Sequence, residues 1–220
     1  LPLLWPALEL PERGEVEMVQ VDVGQGLAML VRTRHHTLLY DAGPAVGDGV
    51  DAGERVVVPG LRALGVNRLD AVVVSHGDND HAGGAQAVRA ALPAAVWHAP
   101  PDMPAAWAMQ ACAAGERWQW DGVDFEFLHP HGRFPYLRNE SSCVLRVQGQ
   151  HGAVLLAGDI GEVIEEGLAK RQPQQLRADV VLAPHHGSAG SSTPPFVTTT
   201  QARLVLVSAG HGNRFGHPRR

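Results

Sequence analysis

Ala71-Val72-Val73-Val74-Ser75-His76-Gly77-Asp78-Asn79-Asp80-His81-Ala82-Gly83-Gly84 changes character twice along its length. It opens as a short apolar, β-branched run, the pattern of a buried strand. It then breaks into a polar turn with two His and two Asp between positions 76 and 81, and two glycines lead into an amphipathic helix over Ala85 to Leu92. Neutral imidazoles and carboxylates are the donors a divalent cation takes. A single His in a loop is usually only a solvated side chain. His-x-Asp-x-Asp-His directly after a strand is different, because four donor-type residues rarely fall at that spacing by chance.

On the N-terminal side of this stretch the chain reads as strands. Val16 to Val23 ends at the tight turn Asp22-Val23-Gly24-Gln25-Gly26; Leu27 to Arg32 and Thr37 to Tyr40 follow, and Asp41-Ala42-Gly43-Pro44 closes the third run. Glu54 to Leu64 has helical spacing and stops at Gly65. On the C-terminal side, Ala94 to His98 reads as a strand, Pro104 to Ala114 as a helix and Val123 to Leu128 as a strand ending in His129-Pro130-His131. Cys143 to Val147 and Ala153 to Ala157 form a hairpin turned near Gly149 to Gly152, and Glu162 to Lys170 is a helix. Asp179 to Ala183 is a buried strand, Thr193-Pro194-Pro195 caps a short helix, and Leu204 to Ser208 is the last strand. Two runs of strands, each mixed with helices, suggest two packed sheets flanked by helices in one domain.

A chain of 220 residues is long enough to bury a substantial core. Its 45% hydrophobic and 19% charged residues are ordinary for a globular protein. A net charge of -5 argues against holding nucleic acid by bulk electrostatics, although two bound divalent ions would bring it to about -1. No apolar run approaches a bilayer span, so stable membrane insertion of this chain is not expected, and residues 1–14, opening Leu1-Pro2-Leu3-Leu4-Trp5-Pro6, read as a linker from an upstream region. Cys112 and Cys143 have no metal-motif spacing; core packing is the expected role of both.

One regularity outweighs any single motif. Four strands expected to be buried each end in metal-type donors: Ala71 to Val74 in His76, Asp78, Asp80 and His81; Ala153 to Ala157 in Asp159; Val180 to Ala183 in His185 and His186; Leu204 to Val207 in His217. Open sheets place their sites beyond the C-terminal ends of strands. So many donors exceed one tetrahedral zinc and suit two ions, with Asp159 able to bridge them.

These pieces resemble the metallo-β-lactamase superfamily, whose defining loop is His-x-His-x-Asp-His before a glycine-rich helix start. More closely, they resemble the C-terminal hydrolase domain of the ComEC family of DNA-internalisation competence proteins. The matching segments are Asp22 to Gly26, Ser75 to Gly84, Asn139 to Val144, Leu155 to Ile160, His185-His186-Gly187-Ser188 and Asn213-Arg214-Phe215-Gly216-His217-Pro218. The resemblance implies an α+β fold, the αββα four-layer sandwich of the metallo-β-lactamase type, over residues 15–220, with the C-terminal edge truncated. It implies two divalent metal ions, one on His76 and Asp78, the other on Asp80, His81 and His217, with Asp159 bridging and His185 a further ligand or a contact to the scissile phosphate. Asp78 stands where the superfamily has its second His; a carboxylate there shifts preference toward manganese or magnesium without excluding zinc. The superfamily also supplies a His before the Gly-Asp turn, for which His129 is a better candidate here than His98 or His131.

The expected activity is metal-dependent hydrolysis of DNA, single-stranded or duplex, during uptake. Asp80 would orient the attacking water, and His186 would act as acid for the leaving oxygen or orient a neighbour. Asn139, Ser141 and Ser142 either bond substrate or cap a strand; Ser188 and Arg214 either follow the DNA backbone or are solvated. The Gly24-Gln25-Gly26 turn either presents amides to phosphate or buttresses the first loop. The resemblance further implies a parent protein with a membrane channel domain, this chain facing the periplasm or cell exterior. The competing readings are a small-substrate hydrolase and a metal-stabilised DNA-binding module.

Overall fold

A computed structural model describes residues 9–47, 49–103 and 109–219. The first sheet contains β1 (Glu17–Gln20), β2 (Met29–Arg32) and β3 (Thr37–Tyr40). A two-stranded ribbon, β4 (Ala45–Val46) and β5 (Val50–Asp51), interrupts before β6 (Leu69–Val73), β7 (Ala94–Ala99) and β8 (Gln110–Ala111) complete it in the order β1-β2-β3-β6-β7-β8. The second sheet is built from β9 (Arg117–Trp120), β10 (Val123–His129), β11 (Val144–Gly149), β12 (Gly152–Leu156), β13 (Val180–Leu182) and β14 (Leu204–Leu206), in the order β14-β13-β12-β11-β10-β9.

Period-two alternation decides which side chains enter which layer. Leu38, Tyr40, Ala71 and Val73 point inward against Phe125, Phe127, Leu145, Val147 and Leu156 of the facing sheet. Leu39, Val72 and Val74 point outward onto a helical layer supplied by α1 (Val58–Ala63, preceded by the π-helical turn Gly53–Val57), α2 (Asn79–Ala82) and α3 (Ala85–Ala91). Behind the second sheet, Val144, Leu155 and Val181 meet Ile164 and Leu168 of α4 (Glu162–Arg171) and Phe196 of α5 (Pro194–Thr200). Burial on both faces explains why Ala71 to Val74 reads as an unbroken apolar run. The result is the expected αββα sandwich.

Several expectations change. Of the helix expected over Pro104 to Ala114, residues 104–108 lie outside the described residues, while Gln110–Ala111 form a strand. Strand β9 has no counterpart in the sequence reading. β14 is an exposed edge rather than a buried strand, with Leu204 and Val205 more than half exposed. Of the expected linker, residues 1–8 lie outside the described residues, and Gly14 is already tied to Asp121 and Gln150 by backbone hydrogen bonds. Cys112 and Cys143 are fully buried but form a disulfide. The bond joins the end of β8 to the start of β11, so it fastens one sheet to the other. Among the described residues no helix is long and apolar enough to cross a membrane.

Candidate metal centre

Strands β12, β13 and β14 are parallel neighbours, and β6 lies in the facing sheet. Beyond β6, the short helix α2 starts after Asp78 and turns Asp80 and His81 into the gap between the sheets. Beyond β12, Gly158 takes a left-handed φ of 58° and presents Asp159. Beyond β13, His185 and His186 both adopt left-handed backbone, at φ 49° and 55°. Such strain costs of order 1–3 kcal/mol per residue and survives only where surroundings enforce it. Here His185 N donates to Gly158 O at 3.1 Å, locking the two loops together.

Asp80, His81, Asp159 and His186 each bring a donor atom to within 4.8 Å of the others. His81 Nε2 lies 3.1 Å from Asp159 Oδ1 and 3.1 Å from His186 Nε2. His186 Nε2 lies 3.2 Å from Asp80 Oδ2. The opposite ring nitrogens fix the tautomers. His186 Nδ1 faces the Ser208 carbonyl at 2.6 Å, and a carbonyl only accepts. His81 Nδ1 faces the Asp41 carboxylate at 2.8 Å. Each ring therefore presents a bare Nε2, and the two lone pairs meet at 3.1 Å beside two carboxylates. Only a proton or a cation relieves that repulsion, and the donor set fits a divalent cation.

Further donors surround this group. His76 is fully buried; its Nδ1 lies 3.0 Å from Ser75 Oγ and 3.4 Å from Ser142 Oγ, and its Nε2 has no hydrogen-bond partner. His185 Nε2 is 3.9 Å from Asp159 Oδ2 and 3.4 Å from Asn139 Nδ2. The His217 ring sits 5.9 Å from that of His185, its Nδ1 buried without a partner. Asn213 brackets His217, accepting from its N–H at 3.0 Å and donating to its carbonyl at 2.8 Å. Asp78 is not among the clustered donors; its two oxygens accept from Arg138 Nε and Nη2, both at 2.9 Å.

The charges are strongly coupled. Burial alone would lower the His81 pKa, but Asp159 and Asp41 raise it well above 6.5. His186 follows: burial lowers it, while the bond to Asp80 and the Asp159 charge carry it upward. Burial opposes ionisation of Asp159, yet His81 and His186 hold its carboxyl well below the usual range. His76, desolvated and beside His81, is lowered to about 4.

The structure revises several sequence readings. His186, expected as leaving-group acid or orienting residue, stands with its Nε2 between His81 and Asp80 and its Nδ1 committed to the Ser208 carbonyl. His129 is not among the clustered donors; its Nε2 donates to Glu140 O at 2.8 Å. His98 is buried among Trp118 and Phe127, and His131 reaches Gln172. Ser141 is spent on its own loop, accepting from Leu137 N and donating to Pro135 O. Ser142 Oγ accepts from Asp159 N at 3.1 Å, which makes it a support of the Gly-Asp turn. Asn139 reaches His185; Ser188 bonds Ser191, and the Arg214 guanidinium lies over the Phe215 ring. The glycine turn buttresses: Leu27 N donates to Asp80 O at 3.0 Å, and a Cβ at Gly26 would strike that same carbonyl.

Asp41 escaped the sequence reading. It is fully buried on left-handed backbone, φ 61°, and accepts from Ser75 N and Ser75 Oγ at 2.7 Å as well as facing His81. The rule that located the other donors also applies to it, since it directly follows β3.

Comparison with known proteins agrees with this geometry. The sequence profile of the metallo-beta-lactamase superfamily matches residues 21–211. The chain belongs to the metallo-β-lactamase superfamily. Superfamily membership and the donor cluster together support a metal-dependent hydrolase. The chain is 40% identical over 209 residues to competence protein ComA of Neisseria gonorrhoeae, covering 95% of this chain and 29% of that protein. It is 30% identical to ComE operon protein 3 of Bacillus subtilis, covering 99% and 31%, and 33% identical to recombination protein 2 of Haemophilus influenzae, covering 90% and 25%. The chain thus spans less than a third of these relatives' length. Among solved structures, a Cronobacter sakazakii metallo-β-lactamase superposes with a TM-score of 0.59 at 16% identity, over 89% of this chain and 92% of that one. The metallo-β-lactamase-fold protein YhfI of Bacillus subtilis gives 0.55 at 16%, over 90% and 88%. At such identities the likeness concerns the superfamily fold.

Proposed function

We propose that this chain is a nuclease domain that hydrolyses DNA phosphodiesters during DNA uptake, using two divalent cations with manganese preferred and zinc or magnesium as alternatives. The observation that carries the reading is the pair of bare imidazole nitrogens facing each other between Asp80 and Asp159. The names of the relatives, a competence protein and a recombination protein, support DNA as the substrate. A bound divalent cation supplies Lewis acidity: it brings the pKa of a water toward neutrality and offsets charge on phosphate.

The chain's own residues supply the rest. Asp80, His81, Asp159 and His186 would hold one cation; His76 and Asp78, with Asp159, would be the residues to hold a second, and His185 and His217 stand near this group. Asp41 fixes the His81 tautomer, and Ser75 ties Asp41 to the ligand loop. His185, about one-third exposed, takes the role of phosphate contact or leaving-group acid in place of His186. Asn139 orients it through the 3.4 Å contact. The parent protein would carry a membrane channel domain, with this domain facing the periplasm or cell exterior. The buried disulfide supports that side, since disulfides persist in oxidising compartments.

The test is incubation of the full chain with labelled single- and double-stranded DNA, with and without manganese. Products that form only with metal and vanish in Asp159→Ala support the reading. DNA that is bound but never cut would identify a binding module. Cleavage of nitrocefin or a thioester with DNA left intact would identify a small-substrate hydrolase.

A further inference from the structure

Asp78 sits two residues from both His76 and Asp80, yet Arg138 holds it in a two-pronged pair. Arg138 reaches it from left-handed backbone, φ 55°, a conformation a non-glycine residue adopts at a cost. The loop that carries it is fastened to the ligand loop at further points. Gly77 N donates to Tyr136 Oη at 2.8 Å, and Ser142 Oγ accepts from Asp159 N. Strained backbone held in place by neighbouring bonds thus delivers a guanidinium to one carboxylate of the ligand motif. Meanwhile His76 Nε2 is buried and unpartnered. His76 and Asp78 stand two positions apart on the same ligand loop, directly after β6.

We propose that Arg138 is an internal competitor for cations at Asp78 and thereby sets the order of loading: the position formed by Asp80, His81, Asp159 and His186 fills first, and the one that needs His76 and Asp78 fills second and more weakly. The physical reason is plain. A cation at Asp78 must share carboxylate oxygens that already accept from Arg138, or displace one prong of the fork, and the guanidinium alongside repels the incoming charge. The four-donor position faces no such rival, since none of its donors is paired with Arg or Lys among the described residues. This rests on the two-cation reading above and adds to it a residue that controls one of the two sites. The Arg138 side chain is 73% exposed, so the competition is solvent-screened and modest.

Manganese titration of the full chain, with free ion followed by electron paramagnetic resonance, tests the proposal without reference to DNA. Wild type should show one tight and one weak ion. Arg138→Gln should tighten the weak ion about three- to tenfold and leave the tight one within about twofold. In an Asp78→Asn background the weak ion should be lost, and adding Arg138→Gln should change nothing. An unchanged or weakened second ion in Arg138→Gln, two equally tight ions in wild type, no second ion in either protein, or an Arg138 effect that persists without Asp78 would each overturn it. Failure to cut DNA would overturn the nuclease reading while leaving this titration intact.

Discussion

Asp41 settles which nitrogen of His81 faces the cation position, because its carboxylate takes Nδ1 and leaves Nε2 bare. Asp41→Asn keeps the shape but replaces one acceptor with a donor. Metal affinity should fall about 10- to 100-fold, as read by titration calorimetry, with far-ultraviolet circular dichroism unchanged. The pKa directions give a second expectation. With its pKa raised, ion-free His81 holds a second proton more tightly than a free imidazole does, and an entering cation competes with that proton for Nε2. Manganese affinity should therefore increase as pH rises from about 6 toward 9; a flat profile would contradict the assignment. Stability of the ion-free protein runs the other way. The His81 contribution is complete below 6.5 and is lost as pH rises through the raised folded value, whereas that of Asp159 is present above 3.8 and is lost as pH falls through its depressed value. Asp80, His81 and Asp159 were legible in sequence because they sit in motifs at strand ends. Asp41 follows β3 directly and so met the same strand-end rule, but without a neighbouring His or a Gly-Asp turn its part became visible only once the fold brought Ser75 and His81 against it.

Elements deliver the donors, and their anchoring is as specific as the donors themselves. Glu165 of α4 is fully buried, and its two oxygens accept Ser192 N at 2.6 Å and Thr193 N at 2.7 Å at the entrance to α5. Ser191, next in line, donates to Pro184 O at the base of the His185–His186 turn. Glu165→Ala removes the acceptor of the buried Thr193 amide and of the partly buried Ser192 amide and should cost about 1–3 kcal/mol in denaturant unfolding, with weaker metal binding as the His turn loosens. Gly83 and Gly84 illustrate a partly legible signal. They do precede a helix, but neither has positive φ. They are required because a Cβ at either would strike backbone, at Ala45 N for Gly83 and Ala42 O for Gly84. Sequence periodicity located β3, β6, β10, β11, β12 and α4 closely, since buried apolar runs and amphipathic spacing mark them. Strand β9 went unseen although Arg117-Trp118-Gln119-Trp120 alternates polar and aromatic residues, because four residues are too short a run to mark a strand before its pairing with β10 is known. The exposure of β14 was hidden because an apolar edge strand and a buried one read alike.

At the scale of the whole molecule, two sheets meet to place donors from β6 and from β12 to β14 around one gap, and the Cys112–Cys143 bond pins those sheets together beside it. Reduction, or the double change Cys112→Ser with Cys143→Ser, should remove about 2–4 kcal/mol, seen as a melting temperature lower by roughly 5–15 °C. The sandwich itself was legible, because strand runs mixed with helices admit few layered solutions. The disulfide was not, because 31 residues of separation say nothing about whether two cysteines face each other. The most direct check of the central claim is a manganese-soaked crystal measured for anomalous scattering. The account predicts a peak about 2.0–2.3 Å from both His81 Nε2 and His186 Nε2, with oxygens of Asp80 and Asp159 completing the shell. No peak there, or a manganese ion bound only elsewhere, would contradict it.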